Sequence, residues 1–308
     1  MKKIQETTVI IKVQNVHSMK KIIIFSALFL FLKINCQDYI SLDKLREMYE
    51  YKKYTLNTKE LYGFDSTIEV YNFFITPKTI LLVSILPNIE MKENWEKINK
   101  DETKDKLKNE KQLRTWVQNF SLKNKEFNFR KIVKNINNEN FVSYASLIEK
   151  FDIGNYPFPL ISDYGVINIV EKKVTIKKMY SFYNKFYTNF DKKEIFPLDI
   201  RNTEKFEINN YKHIYRYYLS KEIKIKGNRG YQFWLFDHWR VIDGYNYHRG
   251  IDRFIYIPNL GIVGGSYDFY FELKPRAMYN NVIPLPVDKE KLWDNIINEK
   301  VMIAEELK

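Results

Sequence analysis

The stretch from Asp237 to Arg253 (DHWRVIDGYNYHRGIDR) is the densest set of residue types able to act as acids, bases or metal ligands. It holds two of the four histidines, His238 and His248, with three aspartates (Asp237, Asp243 and Asp252) and three arginines. Imidazole and carboxylate ligands of this kind serve metal-dependent hydrolases. Spacing argues against one shared metal. His238 is expected mid-strand and Asp243–Gly250 in the following hairpin loop, so at about 3.4 Å per residue His238 stands roughly 14 Å from the loop. Asp237 and His238 also point to opposite faces of that strand. No metal site is assigned and no cofactor is expected. Asp237, His238 and His248 stand as the catalytic candidates.

Asp237 shares its face with Tyr231, Phe233, Leu235, Trp239 and Val241, an otherwise apolar row. A carboxylate there needs a partner, or desolvation raises its pKa. A structural ion pair with an arginine is the favoured account. The other face carries Trp234, Phe236, His238 and Arg240, so the strand is expected to be covered on both sides. The loop itself offers Tyr245, Tyr247 and Arg249 as ligand-binding candidates, because Tyr and Arg dominate binding hot spots and tyrosine rings stack on sugars. Gly261 and Gly264-Gly265 precede a strand rather than open a helix, so they read as turn or bulge glycines and not as a dinucleotide loop. His213, on a tyrosine-lined face, reads as a core histidine.

These candidates need a scaffold, and the pattern supplies an outline. Ser41 caps a short helix to Tyr49, and strands follow at Thr67–Thr76 and Thr79–Leu86 across Pro77-Lys78. Glu93–Phe120 reads as a charged helix with Leu113, Trp116, Val117 and Phe120 on one apolar face. Phe141, Tyr144, Ala145, Ile148 and Phe151 form a second helical stripe. After Gly165 the period becomes two: Val174, Ile176, Tyr180, Phe182 and Phe186, then Tyr211 to Leu219. Further strands are expected at Tyr231–Ile242, Asp252–Pro258 and Gly261–Leu273, the last on the alternation of Tyr267, Phe269, Phe271 and Leu273. Asp288 caps a final helix. The predicted fold is α+β: a helical and mixed N-terminal half, an antiparallel meander in the C-terminal half, and a C-terminal helix packed on that sheet. The charged, helical reading of Asn88–Glu126 opposes an outer-membrane barrel.

Of 308 residues, 45% are hydrophobic and 16% aromatic, enough to build a core and to exclude a disordered chain. Residues 1–37 read as a leader and 38–308 as one domain, with a subdivision considered near 155–165. Lys20 and Lys21 precede the apolar run Ile22–Leu32, too short to span a bilayer and right for a signal peptide starting at Met19. Cys36, the only cysteine, is a candidate for lipid attachment, although Lys33 and Asn35 depart from the usual lipoprotein box. Ordinary cleavage near Cys36-Gln37 is the competing reading. The body from Asp38 onward therefore has no disulfide and no thiolate chemistry.

The formal charge is +12, of which the leader supplies six lysines against Glu6. The chain has only ten arginines, and arginine is the residue of choice for gripping phosphate, so a nucleic-acid partner is not expected. The expectation is an exported protein, periplasmic, cell-surface or extracellular, that is non-enzymatic or envelope-associated. It would recognise a protein partner or a surface glycan through aromatic-rich loops, touching membrane only through a lipid at Cys36. The alternative is a secreted hydrolase using Asp237, His238, Asp243, His248 and Asp252, with or without a divalent metal.

Overall fold

A computed structural model describes residues 38–89, 91–104, 106–122, 125–155, 165–181, 217–235, 250–271 and 288–308. Three sheets carry the architecture. The first has the order β1 (Asp38–Ser41), β7 (Arg130–Ile136), β8 (Glu139–Ser143), β5 (Trp95–Ile98). The second runs β10 (Val166–Asn168), β9 (Ala145–Gly154), β4 (Thr79–Leu86), β3 (Thr67–Thr76), β2 (Glu50–Asn57), with β6 (Lys125–Phe127) also paired to β9. The third is an antiparallel series in chain order: β11 (Tyr217–Ile225), β12 (Asn228–Leu235), β13 (Arg253–Ile257), β14 (Gly261–Ser266) and β15 (Met302–Ile303).

The second sheet is the middle layer, and this explains its sequence. Ile68, Val70, Ile80, Leu82, Leu147 and Phe151 face a core shared with the third sheet, which supplies Phe233, Phe254, Ile255 and Val263. Alternate residues on the same strands, Tyr71, Phe73, Leu81, Val83, Ile85 and Ile148, face a second core. That core is closed by Leu42 and Leu45 of α1 (Leu42–Met48), by Leu113 and Val117 of α4 (Glu110–Asn119), and by Ile132 of β7. Strands buried on both faces read as near-continuous apolar runs instead of alternating ones.

The predicted α+β fold with a helical and mixed N-terminal half is overturned: the described residues are mostly β, in three sheets with few helices, and strands β1 to β9 dominate the chain before residue 155. The stripe Phe141–Phe151 is the clearest correction. It spans β8 and β9, and its helix-like spacing arises because Ala145 and Phe151 face one core while Ile148, on the same strand, faces the other. Glu93–Phe120 divides into β5, α3 (Lys100–Lys104) and α4. The helix starts only at Glu110 because Asn109 accepts from the Gln112 amide at 2.9 Å while the Gln112 side chain accepts from the Asn109 amide at 3.0 Å.

Two period-two readings also fail. Residues 176–181 are helical; Ile176 and Tyr180 lie four apart, a spacing that satisfies both periods. Tyr267, Phe269 and Phe271 do not continue β14, because Asp268–Phe271 turns into the short helix α5. Strands β3 and β4 have the expected bounds, as does the Ser41 cap of α1. Asp288 caps the helix α6 (Lys289–Ile297), whose Leu292 and Ile296 enter the core. Among the described residues no helix is long and apolar enough to cross a membrane.

Candidate functional site

Asp237, His238, Asp243, Tyr245, Tyr247, His248 and Arg249 lie outside the described residues, as do His213, Cys36 and the leader. Only the end of that motif is visible. Asp252 is buried; its backbone bridges Leu235 and Ser266, and its carboxylate Oδ2 accepts from the Phe269 amide at 3.4 Å. Arg253 is the arginine of a buried ion pair, but with Asp268. Its Nη1 and Nη2 both donate to that carboxylate, and its Nε donates to the Lys300 carbonyl at 3.1 Å. The Tyr62 hydroxyl donates to Asp268 Oδ1 at 2.9 Å and accepts from the Tyr267 amide at 2.7 Å. Every group here is engaged in holding α5 against β13. Among the described residues no three His, Cys, Asp or Glu side chains are grouped to hold a metal ion.

A second buried pair stands beside Gly250. Lys125 Nζ lies 3.8 Å from Glu149 Oε1, with both side chains 2% exposed. Glu149 Oε2 accepts from the Ile251 amide at 3.0 Å. Burial raises the Glu149 pKa, opposed by Lys125 and the Ile251 amide. A Cβ on Gly250 would meet Glu149 Oε1 at 1.9 Å, so only glycine lets the chain pass over the carboxylate.

Among the described residues a cavity able to receive a ligand lies elsewhere, where the second and third sheets meet at one end. Its volume is about 400 Å³. The Thr76–Thr79 turn and the start of β2 form one wall; the turn between β13 and β14 forms the other. Phe74, Ile80, Ile153 and Tyr256 supply an apolar floor, while Glu50, Thr76 and Asn259 supply a polar rim. Burial pushes the Tyr256 hydroxyl pKa up, with Tyr231 adding to the effect, so this phenol stays protonated and able to donate.

Local structure fixes the second wall. Asn259 adopts φ 63° and Gly261 φ 84°, both left-handed. The Tyr54 hydroxyl donates to the Leu260 carbonyl at 3.0 Å. Asn72 is fully buried; its Oδ1 accepts from the Ile262 amide at 2.7 Å and its Nδ2 donates to the Ile262 carbonyl at 3.0 Å. A cavity of this size, with an apolar floor and a polar rim of about equal extent, is large enough for a small ligand. Chemically it can enclose a ring or short aliphatic body and hydrogen-bond its edge through Glu50, Thr76 and Asn259. Sequence reasoning missed this groove. Its signals, Pro77-Lys78 and Pro258-Asn259, are legible as turns, but nothing local says that the two turns are neighbours.

Comparison with protein-family models, with curated proteins and with solved structures found no match.

Proposed function

We propose that this is an exported binding protein of the cell envelope or its surroundings that recognises a surface glycan or a protein partner without transforming it. The observation that carries the reading is the groove: an apolar floor bearing two aromatic rings, Phe74 and Tyr256, under a rim of Glu50, Thr76 and Asn259. Aromatic floors take the apolar faces of sugar rings or protein side chains, and the rim groups satisfy polar edges. The buried carboxylates support a non-enzymatic role, since Asp268 is bound by Arg253 and Tyr62 and Glu149 by Ile251 and Lys125. Export rests on the Lys20–Leu32 leader pattern.

The test is a thermal-melt screen of the full chain against neutral oligosaccharides, paired with capture of surface proteins. A ligand that binds only the folded state raises the melting temperature by mass action. A shift is expected, and Glu50→Lys should remove it while leaving the unliganded melt unchanged, because Glu50 is exposed. A shift that persists in Glu50→Lys, or neither shift nor capture, overturns the groove as the site. Mass analysis of the mature N-terminus tests export separately; a chain retained in the cell with residues 1–37 still attached is the unfavourable result.

A further inference from the structure

The opposite face of the second sheet carries a different chemistry. Lys53 pairs with Tyr71 and Tyr51 with Phe73 across the β2–β3 ladder, so these residues share the face turned from the groove. Arg46 of α1, Trp95 of β5 and Lys134 of β7 close around them. Each of three cations lies over an aromatic ring: Arg46 over Tyr51 at 5.0 Å, Lys53 over Tyr71 at 5.6 Å and Lys134 over Trp95 at 3.9 Å. Cation–ring contact of this kind holds a charge in place without neutralising it.

Glu69 organises the group and is saturated by it. Its carboxylate accepts from the Tyr71 hydroxyl at 2.5 Å, the Trp95 indole at 2.7 Å and the Lys53 ammonium at 3.0 Å. Asp43 stands 3.6 Å from Arg46 and accepts from the Asn135 amide. Lys134 has no carboxylate within 4 Å among the described residues. The cluster therefore keeps one cation in excess, with Arg46 and Lys53 still 45% and 44% exposed. Burial lowers the Lys134 pKa and Lys53 acts in the same direction, while Glu69 and Asp43 oppose the shift.

We infer that this surface binds an acidic polysaccharide, with Arg46, Lys53 and Lys134 receiving its carboxylate or sulfate groups. The three cations come from α1, β2 and β7, so their spacing is set by the packed fold and suits a ligand with several separated charges. Single-stranded nucleic acid fits less well. Tyr71 is buried and Lys134 lies over one face of the half-buried Trp95, which leaves little open ring for bases to stack on. An anionic bilayer fits less well too, because insertion needs an apolar set. On the neighbouring strand only Ile136 is a well-exposed large aliphatic. The site lies on the face of the sheet away from the groove and stands or falls independently of it.

Polygalacturonate oligomers titrated into the full chain test the inference, with neutral dextran, single-stranded DNA and phosphatidylglycerol vesicles as parallel probes. Polygalacturonate is expected to bind, more weakly as salt rises, and dextran to give no signal. Charge-assisted contacts are worth about tenfold in Kd each, and exposure discounts that, so the double variant Arg46→Gln/Lys134→Gln should lose at least about tenfold. Its charge-preserving counterpart Arg46→Lys/Lys134→Arg should retain binding, which separates lost charge from lost folding. No binding, binding unchanged in the Gln double variant, or cluster-dependent binding of DNA or vesicles in place of polygalacturonate would each overturn the inference.

Discussion

Replacing Gly261 by Ala tests how the second and third sheets are joined. Gly261 has φ 84°, and a Cβ built on it falls 2.6 Å from Asn72 Oδ1 and 2.8 Å from its Cγ. Left-handed backbone costs a non-glycine residue about 1–2 kcal/mol. The methyl must also push aside a buried side chain that makes two hydrogen bonds to Ile262. Each buried group left without its partner costs about 1–3 kcal/mol. With both bonds at stake, these give roughly 3–8 kcal/mol. Gly227 provides the control. Its φ is 81°, but nothing lies within 4 Å of its Cβ position, so Gly227→Ala should show the backbone cost alone.

Thermal unfolding followed by circular dichroism measures both. At about 2 °C per kcal/mol for a chain of this size, Gly261→Ala should lower Tm by about 6–16 °C, and Gly227→Ala by a few degrees. In Gly261→Ala made on an Asn72→Ala background, the clash is already gone, so the double variant should cost less than the sum of the singles. Equal losses at Gly261 and Gly227, or strict additivity with Asn72→Ala, would refute the clamp.

Lys125→Met leaves Glu149 buried without its cation and should cost about 3–5 kcal/mol near neutral pH. Because burial already raises the Glu149 pKa, the folded state prefers the protonated acid, so that loss should shrink as pH falls to about 5; a loss equal at about pH 5 and about pH 8 in urea melts would contradict the assignment. Glu299 accepts from the Ile176 amide and the Ser220 hydroxyl in a buried position, so Glu299→Ala should cost about 2–4 kcal/mol and Glu299→Gln clearly less. Hydrogen exchange at residues 176–181 should quicken in Glu299→Ala; unchanged protection there would show that Glu299 does not tether that helix.

Legibility of the fold followed the range of the deciding interaction. The caps at Ser41 and Asp288 bond to amides two or three residues away, and a reader of the chain can see both partners. The strands β3 and β4 flank a marked turn. By contrast, nothing near Phe141–Phe151 announces that the second sheet is sandwiched, and two-sided burial then imitates a helix. Tyr267–Phe271 alternates like a strand, yet Asp268 turns inward to meet Arg253, a pairing that only the third sheet creates. The motif that drew most attention in the sequence, Asp237–Arg249, lies outside the described residues. The groove was invisible for a related reason: Glu50 and Asn259 acquire a common site only through the docking of two sheets.

That docking also determines how the proposed sites would work. The β13–β14 turn is bonded to the second sheet by Tyr54 through Leu260 and by Asn72 through Ile262. Both groove walls are therefore held before any ligand arrives, so little ordering cost is charged against affinity. The cation cluster works differently: Arg46 and Lys53 are slightly less than half exposed, so their charges also act through solvent over about a Debye length. Such charges govern encounter rate and salt sensitivity more than selectivity. On the proposed reading, shape discrimination belongs to the groove and capture to the cluster. The two lie on opposite faces of one sheet, so a single short ligand cannot span them. An envelope polymer held at the cluster would instead raise the local concentration of whatever enters the groove.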